Sequence, residues 1–290
     1  MVRHSIGTLE IFTYEVFSSY GGVSCFATTR AGGVSSMPFS SLNLGLRCGD
    51  DPDDVIDNRA QLGLLTGAFP DLLTFGGQVH GSRVAVVTGD LIGSGAFDPD
   101  DSIPETDAMV TDIPDVGLLV LVADCVAVSL YDPVKKAIGI AHAGWRGTAA
   151  GIAGSTVAKM REAFGTAPSD LIAAIGPSIG PCCYEVGSEV VDRFAERCPD
   201  MLESILVTRR SKAGSGGGGD GTYLDLWEAN LRQLTAGGIR RDNVEIAGVC
   251  TSCRTDLFYS HRAEKGRTGR FAGFIMLHGN TRRAYEISAL

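Results

Sequence analysis

The 290-residue chain has no apolar run of the roughly eighteen residues that a bilayer-spanning helix requires, so a membrane span is not expected. It also has no lysine- or arginine-rich block. With 25 Lys+Arg against 34 Asp+Glu, the formal net charge is -9 and the pI ≈ 5.0, so the basic stripe of a duplex nucleic-acid binder is missing. A small anionic ligand stays compatible with this balance, because a few local arginines suffice to hold one. The opening stretch MVRHSIGTLEIFTYEVFSS lacks the apolar core of a secretory signal. The eight cysteines are too few and too unevenly spaced for a secreted disulfide framework in a chain of this length. Together these absences predict reduced thiols and a cytoplasmic location. No internal repeat and no linker divides the chain.

What is present is an ordinary globular composition, 44% hydrophobic and 20% charged, able to bury a sizeable core. The one low-complexity piece, KAGSGGGGDGT at 212–222, lacks the Lys-Ser/Thr of a P-loop and reads as a flexible solvated loop. Asp51-Pro52-Asp53-Asp54 starts a helix that Gly67 closes. A second helix is expected from Thr148 to Phe164, with Gly151 and Gly154 on it, and a third over SEVVDRFAERC behind Gly187. Asp225 and Glu228 form a capping box for LWEANLRQLTA. Strands are expected at Val23–Thr28, Gln78–Val87, Ala108–Val110, Leu118–Leu130, Ala137–Ala141, Leu171–Ile175, Val244–Val249 and Phe271–Leu277. Several are continuously apolar, as in a sheet covered on both faces. The irregular interleaving predicts an α+β fold, a single layered domain over 1–290 with mixed β-sheets flanked by helices.

Only five histidines occur, and two stand near strand ends: His80 in FGGQVHGSRV and His142 in AIGIAHAG. Cys125 interrupts the apolar run LLVLVADCVAVSL. Two imidazoles and one thiolate from three segments would make a three-ligand zinc site with an open fourth position, the catalytic form. Asp124 would face away from Cys125 on a regular strand and reach the same pocket only if the strand bends or ends there. A cysteine in an apolar strand is also ordinary core packing, so residue types alone leave both readings open. Cys250 and Cys253 form a CxxC, but no two further ligands follow nearby in sequence, which argues against a structural zinc site there. Cys182-Cys183 reads as part of a tight Gly/Pro turn. Arg146, just before a glycine and an expected helix start, is placed to hold an oxyanion.

The stretches GGVSSMPFSSLNLGLRCGDDPDDVIDNR, QVHG, TDAMVT, ADC, AHAGWRG, IGPSIGPCCYEVG and FYSHRAEKGRTGRFAGFI together resemble the YfiH-type proteins, also called the laccase-domain or multicopper polyphenol oxidase family. They span almost the whole chain in the family's order. Arg47 stands where members commonly carry a histidine. The resemblance implies a layered α+β domain and zinc held by His80, Cys125 and His142, with copper as the other candidate ion. It implies phosphorolysis of adenosine, inosine and methylthioadenosine to base and ribose 1-phosphate, together with deamination of adenosine. A peptidoglycan-editing role and a laccase activity are the family's other descriptions. Five histidines cannot furnish the on the order of ten imidazoles of a four-copper oxidase.

On that reading the partners are a nucleoside and phosphate, and the chain is a monomer or homodimer. Arg146 with Arg59 or Arg262 would hold phosphate, Asn43 and Gln78 would hydrogen-bond the substrate, and Asp124 would shuttle the proton in deamination. Two other classes stay open. Cys125 with His142 could serve as nucleophile and base of an amide or ester hydrolase. A metal- or nucleoside-binding module would bind without turnover.

Overall fold

Alternation along single strands sets the layering. In a computed structural model describing residues 1–210 and 220–279, Gly117–Val122 turns Leu118, Val120 and Val122 toward Ala127, Tyr131, Ile138 and Ile140 of a second sheet. Leu119, on its other face, packs with Phe26, Phe274 and Leu62. A strand apolar on both faces belongs between layers, and these strands lie there. The first sheet has six strands in the order Val2–Ile6, Leu9–Thr13, Val23–Thr28, Phe271–Leu277, Gly117–Val122 and Leu73–Phe75. The second, also six-stranded, runs Val244–Ile246, Ile172–Ile175, Val126–Asp132, Ala137–Ala143, Ala108–Thr111 and Val84–Val86. Both sheets mix antiparallel pairs with parallel ones, at one edge of the first and at both edges of the second.

Helices cover the outer faces. Ala153, Val157 and Met160 of Ile152–Phe164 and Leu234 of Leu226–Ala236 join Val128, Leu130 and Ala141 in one cluster behind the second sheet. Leu62 of Pro52–Thr66 covers the first. A small antiparallel sheet of Glu185–Val186, Asp220–Leu224 and Leu206–Arg210 completes an α+β fold. The caps are as the sequence predicts: Asp51 accepts from Asp53 N–H, and Asp225 from Trp227 and Glu228 N–H.

Four expectations change. The strand expected over 118–130 is two strands in different sheets, Gly117–Val122 and Val126–Asp132, because Asp124 takes a left-handed φ of 83° and turns the chain between layers. The strand expected from Gln78 shrinks to Val84–Val86, since His80 is also left-handed, with φ 61°. The helix expected at 148–164 is divided into Trp145–Ala149 and Ile152–Phe164 by Gly151 at φ 82°. Arg146 therefore lies within the short helix rather than before it. Of the expected loop 212–222, residues 212–219 lie outside the described ones, and 220–222 belong to the strand Asp220–Leu224.

Candidate active site

Three chain reversals bring the chemistry together. The turn at His80, the crossover at Asp124-Cys125 and the end of strand Ala137–Ala143 place one donor atom each of His80, Cys125 and His142 within 4.8 Å of one another. The two imidazole rings stand edge-on, 4.8 Å between centroids. Asp107 organises them. Its Oδ1 accepts from His80 N–H at 2.9 Å, its Oδ2 from Val79 and Gly81 N–H at 3.1 and 2.8 Å, and His142 Nδ1 lies 2.8 Å from Oδ1. Burial would raise the Asp107 pKa, but the His142 ring and these N–H groups hold it below the usual carboxylate range. An ionised carboxylate only accepts, so His142 Nδ1 donates to it, and Nε2 is the nitrogen that would take a metal ion once the ion displaces its proton.

The thiol and the buried imidazole shift in opposite directions. Burial would raise Cys125, yet His142 and His80 bring it down to about 6; burial would lower His142, yet the Cys125 thiolate and Asp107 bring it up to about 9. The site thus holds a thiolate at neutral pH. Two imidazoles, a thiolate and an acidic partner behind one ring are the donor set of a zinc or single-copper site. Space around the donors is tight: a Cβ on Gly144 would come 2.9 Å from Cys125 Sγ and 3.0 Å from His80 Cδ2. Gly144 has φ -69°, which any residue adopts, so alanine there would act on the donors and not on the backbone. Gly144→Ala is expected to weaken metal binding at the three donors on the order of tenfold, measured by chelator competition, with little change in melting temperature.

The three donors lie in the wall of a cavity of ≈ 770 Å³, within the range of small-ligand sites. Phe75, Leu121, Trp145 and Tyr184 supply apolar and aromatic surface. Arg146 lies over the Trp145 ring at 4.3 Å and Arg262 over the Tyr184 ring at 5.2 Å, so both cations are stacked at the cavity.

The profile of the family described as multi-copper polyphenol oxidoreductase laccase matches residues 24–278. The chain is 42% identical over 257 residues to a Geobacillus stearothermophilus protein named purine nucleoside phosphorylase YlmD, covering 88% of this chain and 90% of that one. It is 34% identical over 256 residues to the Escherichia coli protein named purine nucleoside phosphorylase YfiH, covering 88% and 94%. The crystal structure of Bacillus licheniformis hypothetical protein YfiH superposes with a TM-score of 0.85 at 36% identity, covering 95% of this chain and 98% of that one. The chain belongs to the YfiH/YlmD laccase-domain family.

Within this YfiH-type fold, several residues expected to touch substrate are framework groups. Asn43 is fully buried; its amide donates to Gly45 O and Asp50, and its oxygen accepts from Gly45 and Arg270 N–H. It does not line the cavity. Arg59 is buried at the cavity wall and donates to the carbonyls of Leu44, Gly95 and Ala96, bonds with which a phosphate would compete. Gln78 pairs its amide with Leu121 N–H and O at 2.8 and 2.9 Å, closing the edge of Gly117–Val122 as another strand would. Asp124 is a strap: Oδ1 accepts from Thr251 Oγ1 and Oδ2 from Arg262 N–H, each at 2.6 Å. Its expected proton-shuttle role competes with these bonds. Arg262 donates to Glu185 O, and Arg146 stands 3.9 Å from Glu189. Arg47, at the cavity margin, pairs with Asp100. Among the described residues only one of the two metal-competent groups contains histidine, which leaves no array for several coppers.

The segment that carries Arg262 is pinned by Glu264, which accepts from Ser260 N–H, Thr268 Oγ1 and Arg30. Burial would raise its pKa, but these donors hold it below the usual 4.5. A depressed carboxyl contributes stability that is present above 4.5 and lost as pH falls through the folded value. Glu264→Gln is therefore expected to cost about 1–3 kcal/mol at neutral pH and to flatten the acid limb of the melting-temperature profile. An unchanged limb would remove Glu264 from the loop's anchoring.

Proposed function

We propose that this protein is a zinc-dependent purine nucleoside phosphorylase acting on adenosine, inosine and methylthioadenosine, with adenosine deamination as a second activity at the same cavity. The reading is carried by the likeness to relatives that bear the phosphorylase name. The cavity suits it: an aromatic wall for a purine, two arginines for phosphate and a metal-competent triad in one space.

In phosphorolysis a phosphate oxygen bonds to C1′ as the bond from C1′ to the base nitrogen breaks, and the base accepts a proton. Arg146 and Arg262 would hold the phosphate through charge-assisted hydrogen bonds. Stacking on Trp145 and Tyr184 limits the directions in which the two guanidinium groups point. Trp145 and Tyr184 would also flank the purine. His80, Cys125 and His142 would hold the zinc, which when bound supplies Lewis-acid polarisation of a substrate or water oxygen. Asp107 holds the Nδ1 proton of His142, so Nε2 is the nitrogen that would bind the ion, with its own proton displaced.

Incubating the protein with adenosine, with and without phosphate, tests both reactions. Phosphate-dependent adenine and phosphate-independent inosine are expected; neither product from zinc-loaded protein would remove the nucleoside reading. One observation favours a second class: Cys125, His142 and Asp107 also stand as thiolate, imidazolium and orienting carboxylate, the ion pair of a cysteine hydrolase. Chelation separates the two, because a metal-bound thiolate is occupied. Inactivation by iodoacetamide with indifference to chelator would select the hydrolase.

A further inference from the structure

A second cluster of thiols lies outside the triad. Cys182 and Cys183 follow the strand Ile172–Ile175, and Cys250 and Cys253 follow Val244–Ile246, its parallel neighbour. The loops leaving these strands stay paired: Ser178 N–H donates to Val249 O, and Thr251 N–H to Ser178 O. Each then makes a tight turn. Cys183 and Tyr184 N–H groups return to Gly180 O, and Cys253 N–H returns to Cys250 O. Two turns that each offer two cysteines thus meet, and all four sulfurs lie within 4.8 Å of one another.

We propose that Cys182, Cys183, Cys250 and Cys253 bind one zinc ion, separate from the His80–Cys125–His142 site, and that this ion clips together the loops carrying Tyr184 and Arg262 into the cavity.

The spacing decides the kind of ion. Cys253 Sγ lies 3.6 Å from Cys182 Sγ and 3.4 Å from Cys183 Sγ. Tetrahedral Zn–S bonds of about 2.3 Å put sulfurs ~3.8 Å apart. An iron–sulfur cluster distributes its thiolates over several irons and spreads them farther, so this set fits a single ion. All-thiolate donors select a soft or borderline metal, and zinc needs no redox partner. Gly180 N–H donates to Cys250 Sγ at 3.2 Å, the kind of outer hydrogen bond that stabilises a ligating thiolate. Gly180 is held in place: a Cβ there would come 2.6 Å from Trp227, whose Nε1 donates to Ser178 Oγ at 2.6 Å. Binding replaces the thiol protons, which leave to solvent.

The ion's consequence lies one residue away. Tyr184 follows Cys183 directly, and Arg262 stacks on it while donating to Glu185 O. Asp124 binds both Thr251 Oγ1 and Arg262 N–H, so the CxxC turn and the Arg262 segment share one anchor. Fixing the four cysteines would fix Tyr184 against Arg262.

Zinc content of the full-length protein, purified under argon, is the first measurement. Two zinc ions per chain are expected, falling by one in Cys250→Ser/Cys253→Ser and by the other one in His80→Ala. Cobalt(II) reconstitution of Cys125→Ser tests the site without disturbing its ligands. That variant has no thiolate at the triad, so strong thiolate-to-cobalt absorption that is lost on adding Cys250→Ser/Cys253→Ser comes from the four cysteines. No such absorption, or one zinc per chain that Cys250→Ser/Cys253→Ser leaves in place, would overturn the proposal. So would six rather than eight titratable thiols in the denatured protein, since a disulfide would then hold the turns.

Discussion

On the proposed function, Cys125→Ser is expected to lower phosphorolytic turnover on the order of 10²- to 10⁴-fold, the loss of several kcal/mol of transition-state charge stabilisation, and to lose the zinc proposed for the histidine site. The substitution changes little else. Serine is close in size, and Cys125 sits half-buried at a crossover rather than inside a strand, so the melting temperature is expected to move little. What changes is the donor: a thiolate held ionised by His142 and His80 becomes a neutral hydroxyl, a poor ligand at neutral pH. Two imidazoles remain. Metal analysis and product chromatography on the same preparation check the two halves. Full zinc stoichiometry with full turnover would mean that Cys125 is neither ligand nor part of the chemistry.

The triad residues were candidates in the sequence, a cysteine in an apolar run and two histidines near strand ends, but residue types left core packing open and the family resemblance singled them out. How they converge was not legible. Convergence depends on left-handed turns at His80 and Asp124, non-glycine positions where residue type gives no warning. A continuous apolar pattern from Leu118 to Leu130 reads as one strand, whichever sheet each half joins. Asp107 escaped for a different reason. An acid ahead of an apolar strand is ordinary, and only the folded chain shows it receiving three N–H groups and a histidine ring.

Asn43, Arg59 and Gln78 carry framework bonds that the sequence does not show, while Arg59 and Gln78 also line the cavity. Polar residues in glycine-rich segments look like ligand contacts, yet each satisfies backbone groups that the loops would otherwise leave unpaired. The CxxC at Cys250 lacked partners only along the sequence. Its partners, Cys182 and Cys183, arrive from the neighbouring parallel strand. The fold class and helix caps were readable because they rest on composition and short-range hydrogen bonds. The partners of a site rest on register between strands far apart in the chain.

Asp107→Asn is the second large effect, and the four hydrogen bonds explain why. Oδ1 serves His80 N–H and the His142 ring, while Oδ2 serves Val79 and Gly81 N–H. An asparagine must turn its NH₂ toward one pair. Facing Val79 and Gly81, it leaves two part-buried N–H donors opposed by a donor, at about 1–3 kcal/mol each. Facing the other pair, it opposes His80 N–H and can meet the His142 ring only by donating to Nδ1. The ring proton then moves to Nε2, and the nitrogen that should face the metal becomes a donor. The first orientation loosens the turn that carries His80; the second spoils His142 as a ligand. Either way, zinc affinity at the triad is expected to fall about 10- to 100-fold, the usual effect of losing such a carboxylate partner. Stability should fall by about 2–5 kcal/mol from the unpaired donors. Calorimetry of the zinc-loaded and chelator-treated forms separates the two terms. Asp107→Asn protein that binds zinc and melts like the parent would show that neither the turn nor the ring depends on the carboxylate.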